Sequence, residues 1–381
     1  MTTSPALHAA RMLAPQILES ADEIEAAREL PRPLFEAIAD AGLFHLLVPR
    51  AVGGAELDLP AYVQVIEELG RADASTAWAV NQGSVFSTYA ARMSREAARA
   101  VWADVPRAVV GNSPAPTATA VVVPGGYRVT GKQGFSTGCR HASWIAAYCT
   151  VVGANGDKRL EANGKPEARY CLLPVAEAEL YDTWTARGMR GTGTHHFAVD
   201  DVFVSEARTV LSNTAPLVEP GPLYQVPRML LFAAGDAAVA IGLARGAIEV
   251  FAALAKTPPN LLRDLPMVQA DIGHAEAHLR SARAFLAEAV RDIWAEATTS
   301  EITLERRAAL RIAATHAIWL CVKVVDLLYN AVGASAVFES HPLQRKFQDI
   351  HVISQHTQAR MTTYELVGRH WLGLPVDLSR L

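Results

Sequence analysis

The sequence predicts a multi-domain α+β protein that is helical at both ends and rich in β-strands in the middle. Residues 5–110 contain amphipathic segments interrupted by proline and glycine, and residues 118–204 contain short β-branched or aromatic runs. Ala-rich segments with helical periodicity then fill most of residues 229–371. The length of 381 residues, half of them hydrophobic, suits two or three domains with a sizeable core. The predicted domains are residues 1–112, 113–215 and 216–381.

Three helix signals stand out in the amino-terminal part. Pro33 suits the first turn of a helix that ends near Gly42, because proline needs no amide hydrogen there. A second helix is predicted from about residue 60 to residue 69. Asp73 can cap a third helix that carries Trp78, since short polar side chains accept hydrogen bonds from free amides at helix starts.

The middle of the chain is predicted to form strands joined by turns. Gly125-Gly126 separates two apolar runs, which is a typical hairpin signal. Residues 153–167 are polar and are predicted to form a loop. The predicted strands are residues 118–123, 127–130, 144–152, 170–173 and 197–204.

Long antiparallel helices are predicted for the carboxyl-terminal part, and the last of them contains an unusual polar run. This helix opens at Pro342 and meets no clear breaker before Gly368. Its buried face turns polar at residues 354–358, which read Ser-Gln-His-Thr-Gln. Buried polar groups need partners, so the run indicates a hydrogen-bonded core network or a ligand site, and the pattern alone favours the network. The predicted helices are residues 229–256, 265–296, 303–336 and 342–371.

Composition excludes several classes of function. The net charge is −4 and the chain has no dense Lys/Arg cluster, which argues against nucleic acid or an anionic membrane as partner. The amino terminus lacks the apolar core of a signal peptide, and no uninterrupted apolar run reaches about 18 residues, so we expect a cytoplasmic protein. The four cysteines form no CxxC pair. His274 and His278 share a helix face but lack the HExxH pattern, so no metal site is predicted.

Two glycine-rich segments could approach a ligand closely. In residues 131–138, the glycines free the backbone and the hydroxyls of Ser136 and Thr137 can donate or accept hydrogen bonds. Composition alone favours an ordinary β-turn there. Residues 187–196 lack the strand-to-helix context of a nucleotide-binding loop, so a surface loop is favoured.

The order and spacing of several motifs resemble the acyl-CoA dehydrogenase superfamily from about residue 20 to residue 371. The motifs are Leu30-Pro31 with Gly53-Gly54, Phe135-Ser136-Thr137-Gly138 with Trp144, and Gly188-Met189-Arg190-Gly191-Thr192-Gly193 followed by Val199–Val204. This resemblance implies an amino-terminal helical domain, a central β-barrel and a carboxyl-terminal four-helix bundle. It also implies a homotetramer that holds a flavin between barrel and bundle.

One departure from the dehydrogenase pattern points to a particular branch. The position of the usual catalytic glutamate falls at or beside His356-Thr357, where no carboxylate stands. The stretch from Arg345 through Asp349-Ile350-His351 to Gln355-His356 resembles the two-component flavin monooxygenases (group D), as does Asp73–Trp78. That branch takes reduced FMN or FAD from a separate NAD(P)H flavin reductase and uses O₂ as co-substrate. It oxygenates small indole-, phenol- or thiophene-like compounds through a flavin C4a-hydroperoxide.

The resemblance also implies roles for individual residues. It assigns catalysis to His356 and Ser136. Phenol hydroxylases of this branch often have a histidine shortly after the tryptophan matching Trp78, and this chain has none, so indole-like, sulfur- or nitrogen-containing substrates stay open. The implied cofactor contacts are Ser136, Thr137, Gly138, Trp144, Arg263, Gln269 and Gln355, and the implied substrate pocket contains Trp78, Asn81 and Gln82.

Two alternatives remain. The first is an acyl-CoA dehydrogenase with a relocated catalytic base, for which Glu249, Asp271 and Glu276 on the bundle helices are candidates. The second is a catalytically silent flavin-fold protein used for assembly.

Overall fold

The computed structural model describes residues 4–212, 214–257 and 262–377. It confirms the predicted order of a helical part, a β-rich part and a second helical part. The two helical parts share one large hydrophobic core, in which α4 (Leu59–Ala72) lies against α8 (Arg228–Leu254). Gly242 permits this contact, because a Cβ there would lie 2.2 Å from the carbonyl oxygen of Glu67.

The amino-terminal helices begin where side chains cap them. Asp58 accepts the amide hydrogen of Ala61, and Asp73 accepts that of Thr76, each at 2.7 Å. The predicted cap at Asp73 is therefore confirmed. The helices are α1 (Pro5–Glu19), α2 (Ala21–Ala27), α3 (Arg32–Asp40), α4, α5 (Ala74–Ser87) and α6 (Arg95–Trp102).

The central part is one eight-stranded mixed sheet. Its order is β6-β7-β3-β2-β4-β5-β8, and β1 pairs with β4 in parallel. No ladder joins the edge strands β6 and β8 within the described residues, so the part expected to be a barrel is observed as a mixed sheet. The strands are β1 (Val110–Asn112), β2 (Ala118–Val123), β3 (Gly126–Ser136), β4 (Trp144–Val152), β5 (Ala168–Pro174), β6 (Glu179–Tyr181), β7 (His195–Ser205) and β8 (Thr209–Leu211).

The carboxyl-terminal helices pack around α8, which is mostly apolar and buried and is covered by α4, α5 and α10. By length and composition α8 and the segment Leu304–Val337 could cross a membrane, but 67% and 72% of the respective apolar windows are buried, as in core helices. The helices are α7 (Pro222–Gln225), α8, α9 (Pro266–Ala297), α10 (Leu304–Val332), α11 (Pro342–Ile353) and α12 (Thr362–Trp371).

The prediction of one continuous helix over residues 342–371 is wrong. The chain leaves helical geometry after α11, makes a short 3₁₀ turn at Thr357–Ala359 and resumes as α12. Side chains of α10 bind the carbonyl groups of this break: Thr315 Oγ1 donates to Gln358 O at 2.7 Å and Trp319 Nε1 to Ala359 O at 2.7 Å. Arg311 also donates to Thr357 O at 3.1 Å. These bonds satisfy carbonyls that a continuous helix would bond internally.

Helix α11 also contacts the segment between β6 and β7. Asp349 Oδ1 accepts the backbone amide hydrogen of Met189 at 2.5 Å. Gly188 lies so close that a Cβ there would be 2.3 Å from the carbonyl carbon and oxygen of Gln348. Residues 191–195 are buried at this junction, so the surface-loop interpretation of residues 187–196 is wrong.

Candidate active site

A cavity of about 410 Å³ lies where α5, the sheet and the break after α11 meet. Its floor is apolar and buried, with Trp78, Met189 and Ile353 at 8%, 2% and 1% exposure. Its rim is open, since Gln355 and Arg360 are exposed. The lining residues are Trp78, Gln82, Asn112, Pro114, Phe135, Thr137, Trp184, Met189, Thr192, Thr194, Val352, Ile353, Gln355, His356, Thr357 and Arg360.

His356 is held in this cavity by a buried carboxylate. Its Nδ1 lies 2.8 Å from Oδ2 of Asp236, whose side chain is fully buried in α8. Neither atom has another hydrogen-bond partner among the described residues. Nδ1 is buried while the His356 side chain is 32% exposed, so the opposite edge, which carries Nε2, faces the cavity. The edge of the ring also meets the Trp78 ring at 5.0 Å between centroids.

The carboxylate determines which nitrogen of His356 carries the proton. A carboxylate accepts hydrogen bonds, so it favours the form with hydrogen on Nδ1 and leaves Nε2 free to accept or donate a proton. Burial raises the pKa of Asp236, and the neighbouring His356 opposes that rise. The pair therefore presents one titratable nitrogen to the cavity.

Amide side chains of α5 hold Asp236 in turn. Asn81 Nδ2 and Gln82 Nε2 donate to its Oδ1 at 2.7 and 3.2 Å. Tyr62 donates its hydroxyl hydrogen to Asn81 Oδ1 at 2.5 Å. Gly235 makes room for this amide, because a Cβ there would lie 1.9 Å from Asn81 Oδ1. The two amide partners of the carboxylate are thus fixed where α4, α5 and α8 pack together.

The opposite wall carries hydroxyl groups. Thr194 Oγ1 lies 3.0 Å from Thr137 Oγ1 and 2.7 Å from Thr192 Oγ1. Trp184 donates its indole hydrogen to Met189 O at 2.9 Å, which fixes the ring at the cavity edge. Phe135 has a left-handed backbone with φ of 59° and a side chain 63% exposed at the rim. Such backbone strain in a non-glycine residue is often found at binding sites.

Comparison with known proteins identifies the family of the chain. The family model described as "Acyl-CoA dehydrogenase, N-terminal domain" matches residues 7–106, and that described as "Acyl-CoA dehydrogenase, C-terminal domain" matches residues 234–361. The oxygenase subunit HsaA of a flavin-dependent monooxygenase from Mycobacterium tuberculosis is 31% identical over 95% of this chain and 94% of its own length. The chain belongs to the flavin-dependent monooxygenases of the acyl-CoA dehydrogenase superfamily.

Two further relatives support this family assignment. Indole-3-acetate monooxygenase from Pseudomonas putida is 28% identical over 92% of the monooxygenase chain and 89% of its own length. The structure of XiaF from Streptomyces sp. in complex with FADH2 and glycerol superposes with a TM-score of 0.90 at 25% identity, covering 99% of this chain and 97% of that one.

The residues around the cavity suit a reduced flavin. An isoalloxazine ring needs flat apolar walls and donors for its polar edge, and the Trp78 and Trp184 rings and the threonine hydroxyls provide both. The hydroxyl of Ser136 is buried and has no hydrogen-bond partner among the described residues. Thr137, the next residue, lines the cavity, so the end of β3 fits the polar edge of such a ring.

The structure brings together many of the residues that the sequence singled out. Five line the cavity, and Asn81 lies directly behind it as a partner of Asp236. Gly138 lines a small adjoining cavity together with Thr137. The five lining residues are Trp78, Gln82, Thr137, Gln355 and His356.

Four other predicted residues are not among those that line the cavity. Ser136 is buried in β3, where a Cβ at Gly111 would lie 2.9 Å from its Oγ. Trp144 packs in a separate hydrophobic cluster of the sheet and α6. Arg263 and Gln269 are exposed near the start of α9, where the amide of Gln269 donates to Arg263 O at 3.0 Å. Their roles toward a flavin stay predictions.

Sequence reasoning missed Asp236, Trp184 and Thr194. A signal for Asp236 was available, because this aspartate is the one charged residue in the otherwise apolar stretch of residues 229–244 and needs a buried partner. The candidate bases Glu249 and Glu276 instead form ion pairs with Arg71 and Arg245 away from the cavity.

Proposed function

We propose that this monooxygenase is the oxygenase component of a two-component system and hydroxylates a small aromatic or heteroaromatic compound. The observation that supports this most directly is the apolar cavity whose titratable group is His356, held by Asp236. Indole-like substrates fit best, because flat aromatic walls line the cavity and no histidine follows Trp78 as in phenol hydroxylases of the branch.

Dehydrogenation of an acyl-CoA is not favoured. That reaction needs a carboxylate base facing the substrate, and the described residues that line the cavity include no Asp or Glu. Asp236 is close, but its free oxygen is directed at Nδ1 of His356 and its side chain is fully buried. It therefore acts on the imidazole ring rather than on a substrate.

The flavin and the side chains of the cavity contribute different parts of the reaction. When bound, reduced flavin supplies two electrons and two protons, so that one atom of O₂ enters a ring C–H bond as a hydroxyl group and the other leaves as water. The apolar floor around Trp78 and Ile353 excludes bulk water from this reaction. Nε2 of His356 faces the cavity, where it can take a proton from a reacting oxygen and return it.

We infer that FMN or FAD, supplied by a separate NAD(P)H flavin reductase, serves the site, and that the protein is a cytoplasmic homotetramer. The homotetramer is inferred from the resemblance to the superfamily, and it would cover some of the apolar side chains that are exposed on the carboxyl-terminal helices and turns. These side chains are Met267, Phe285, Phe338 and Trp371.

An oxygen-uptake assay tests the function. Purified protein is mixed with chemically reduced FMN or FAD and with indole, a phenol or a thiophene, and products are analysed with ¹⁸O₂. We expect one labelled oxygen atom per product molecule and none without reduced flavin. Reduction of bound flavin by an acyl-CoA under anaerobic conditions, without oxygenated product, would show that the proposal is wrong.

A further inference from the structure

Arg360 differs from every other residue of the cavity wall. Among the described residues that line the cavity, it alone carries a fixed charge. It follows the 3₁₀ turn Thr357–Ala359 and is exposed at the rim, four residues after His356.

The guanidinium group of Arg360 is free to bind a ligand. Its backbone is fixed, since Thr363 N donates to Arg360 O at 3.0 Å. Its side chain forms no ion pair or hydrogen bond with any residue in the described ranges. Other arginines near the cavity are paired: Arg190 lies 3.0 Å from Glu25, and Arg345 binds Asp22.

The polarity of the cavity therefore changes from an apolar floor to a cationic rim. A ligand that satisfies both ends has a flat apolar ring and an anionic group at its edge. Guanidinium groups bind carboxylates through paired hydrogen bonds, which adds orientation to charge attraction.

We propose that Arg360 binds the carboxylate of the substrate, so that the enzyme acts on small aromatic carboxylic acids. This inference rests on the proposed function. A flavin phosphate is the other anion with the same chemistry. The substrate carboxylate is favoured because Arg360 belongs to the same short segment as His356, the group placed to act on the substrate ring.

Matched acids and amides test the inference. We expect Arg360→Gln to raise KM for indole-3-acetate by about tenfold, the usual effect of one charge-assisted hydrogen bond, and to raise KM for indole-3-acetamide by much less. Arg360→Lys should recover part of the loss, since lysine keeps the charge but not the paired geometry. Arg291→Gln, which removes an exposed cation of α9 outside the cavity, is the control.

Equilibrium binding provides a second measurement that needs no turnover. Calorimetry should show weaker binding of indole-3-acetate to the Arg360→Gln variant than to the wild type and the control. Equal losses for acid and amide would overturn the inference. The inference would also be overturned if the Arg360→Gln substitution weakened binding of reduced FMN but not of reduced riboflavin. That result would assign Arg360 to the flavin phosphate. If the wild type oxygenates no aromatic compound but binds the acid through Arg360, the proposed function fails while the carboxylate site stands.

Discussion

Asp236 and His356 come from different helical segments, yet Oδ2 of the one lies 2.8 Å from Nδ1 of the other. The carboxylate lies in the middle of α8, and the imidazole lies in the break between α11 and α12. Neither residue is placed by its own local sequence alone. The pair forms because α10 binds the carbonyl groups of the break and α5 binds the second oxygen of the carboxylate.

Replacement of His356 should uncouple oxygen consumption from product formation. His356→Ala removes the nitrogen that faces the cavity, and loss of a positioned acid–base group costs about 10²-fold in rate. We expect the ratio of product to consumed O₂ to fall and hydrogen peroxide to rise. Bound flavin, measured by fluorescence, should stay close to the wild-type level. An unchanged ratio would remove His356 from the chemistry.

Replacement of Asp236 should have a smaller effect of the same kind. Asp236→Asn keeps the shape but presents an amide that cannot accept hydrogen bonds from Asn81, Gln82 and His356 together. We expect product formation to fall about tenfold, which corresponds to one lost hydrogen bond of about 1.4 kcal/mol. Rates and the product-to-O₂ ratio should be measured across pH 6–9. A merely structural residue would lower protein stability without moving the pH profile.

Substitution of Gly235 should disturb the pair through Asn81, which holds Asp236. The Cβ of Gly235→Ala would meet Asn81 Oδ1 at 1.9 Å, so the amide must move. We expect a loss of about 1–3 kcal/mol in the free energy of unfolding together with poorer coupling. Gly273→Ala in α9 is the control, since no atom lies within 4 Å of the new Cβ. That variant should gain up to about 1 kcal/mol, and a similar loss in both would contradict the explanation.

The stability of the protein should depend on pH through Asp349. Burial, helped by the negative charge of Asp73 and opposed by the Met189 amide, raises the pKa of Asp349 to about 7. Its unfolded value is near 4, so its protonated form favours the fold below pH 4. That contribution decreases as the pH rises from 4 to 7.

Chemical denaturation at several pH values measures this dependence. The urea midpoint of the wild type should fall between pH 5 and pH 8 by more than that of Asp349→Asn, whose side chain does not titrate. Glu25 and Lys346 lie in the same cluster and are kept in both proteins. Equal pH slopes for the two proteins would show that Asp349 does not titrate in this range.

Local signals predicted much of the fold. Strands β2 and β4 begin and end at the predicted residues, and α8 differs from its prediction by one or two residues at each end. These elements depend on hairpin glycines and on apolar periodicity, which the sequence displays directly. Residues 131–136 are part of β3 rather than the turn that composition favoured, because their partners are supplied by β7.

The break after α11 was not predictable in the same way. Helical periodicity continues through residues 354–358, and only bonds from α10 interrupt it. Residues 354–358 contribute both to a hydrogen-bonded core network and to the cavity wall, which are the two interpretations that the sequence left open. Gln358 is buried and bonded to Arg311, whereas His356 lines the cavity. Tertiary contacts, rather than the local sequence pattern, therefore determine where the helix breaks and which of these side chains are buried.

The walls of the cavity have a further consequence for how this enzyme can change. Both members of the acid–base pair come from the carboxyl-terminal part, whereas Phe135 comes from the end of β3 and Trp184 and Thr194 come from the segment between β6 and β7. Substitutions at the sheet side therefore alter the shape offered to a substrate without touching a partner of Asp236. Such a separation lets new substrates be acquired one side chain at a time while the reaction type is kept. Directed evolution toward a different aromatic compound should start at Phe135, because Trp184 and Thr194 are also placed to contact the flavin.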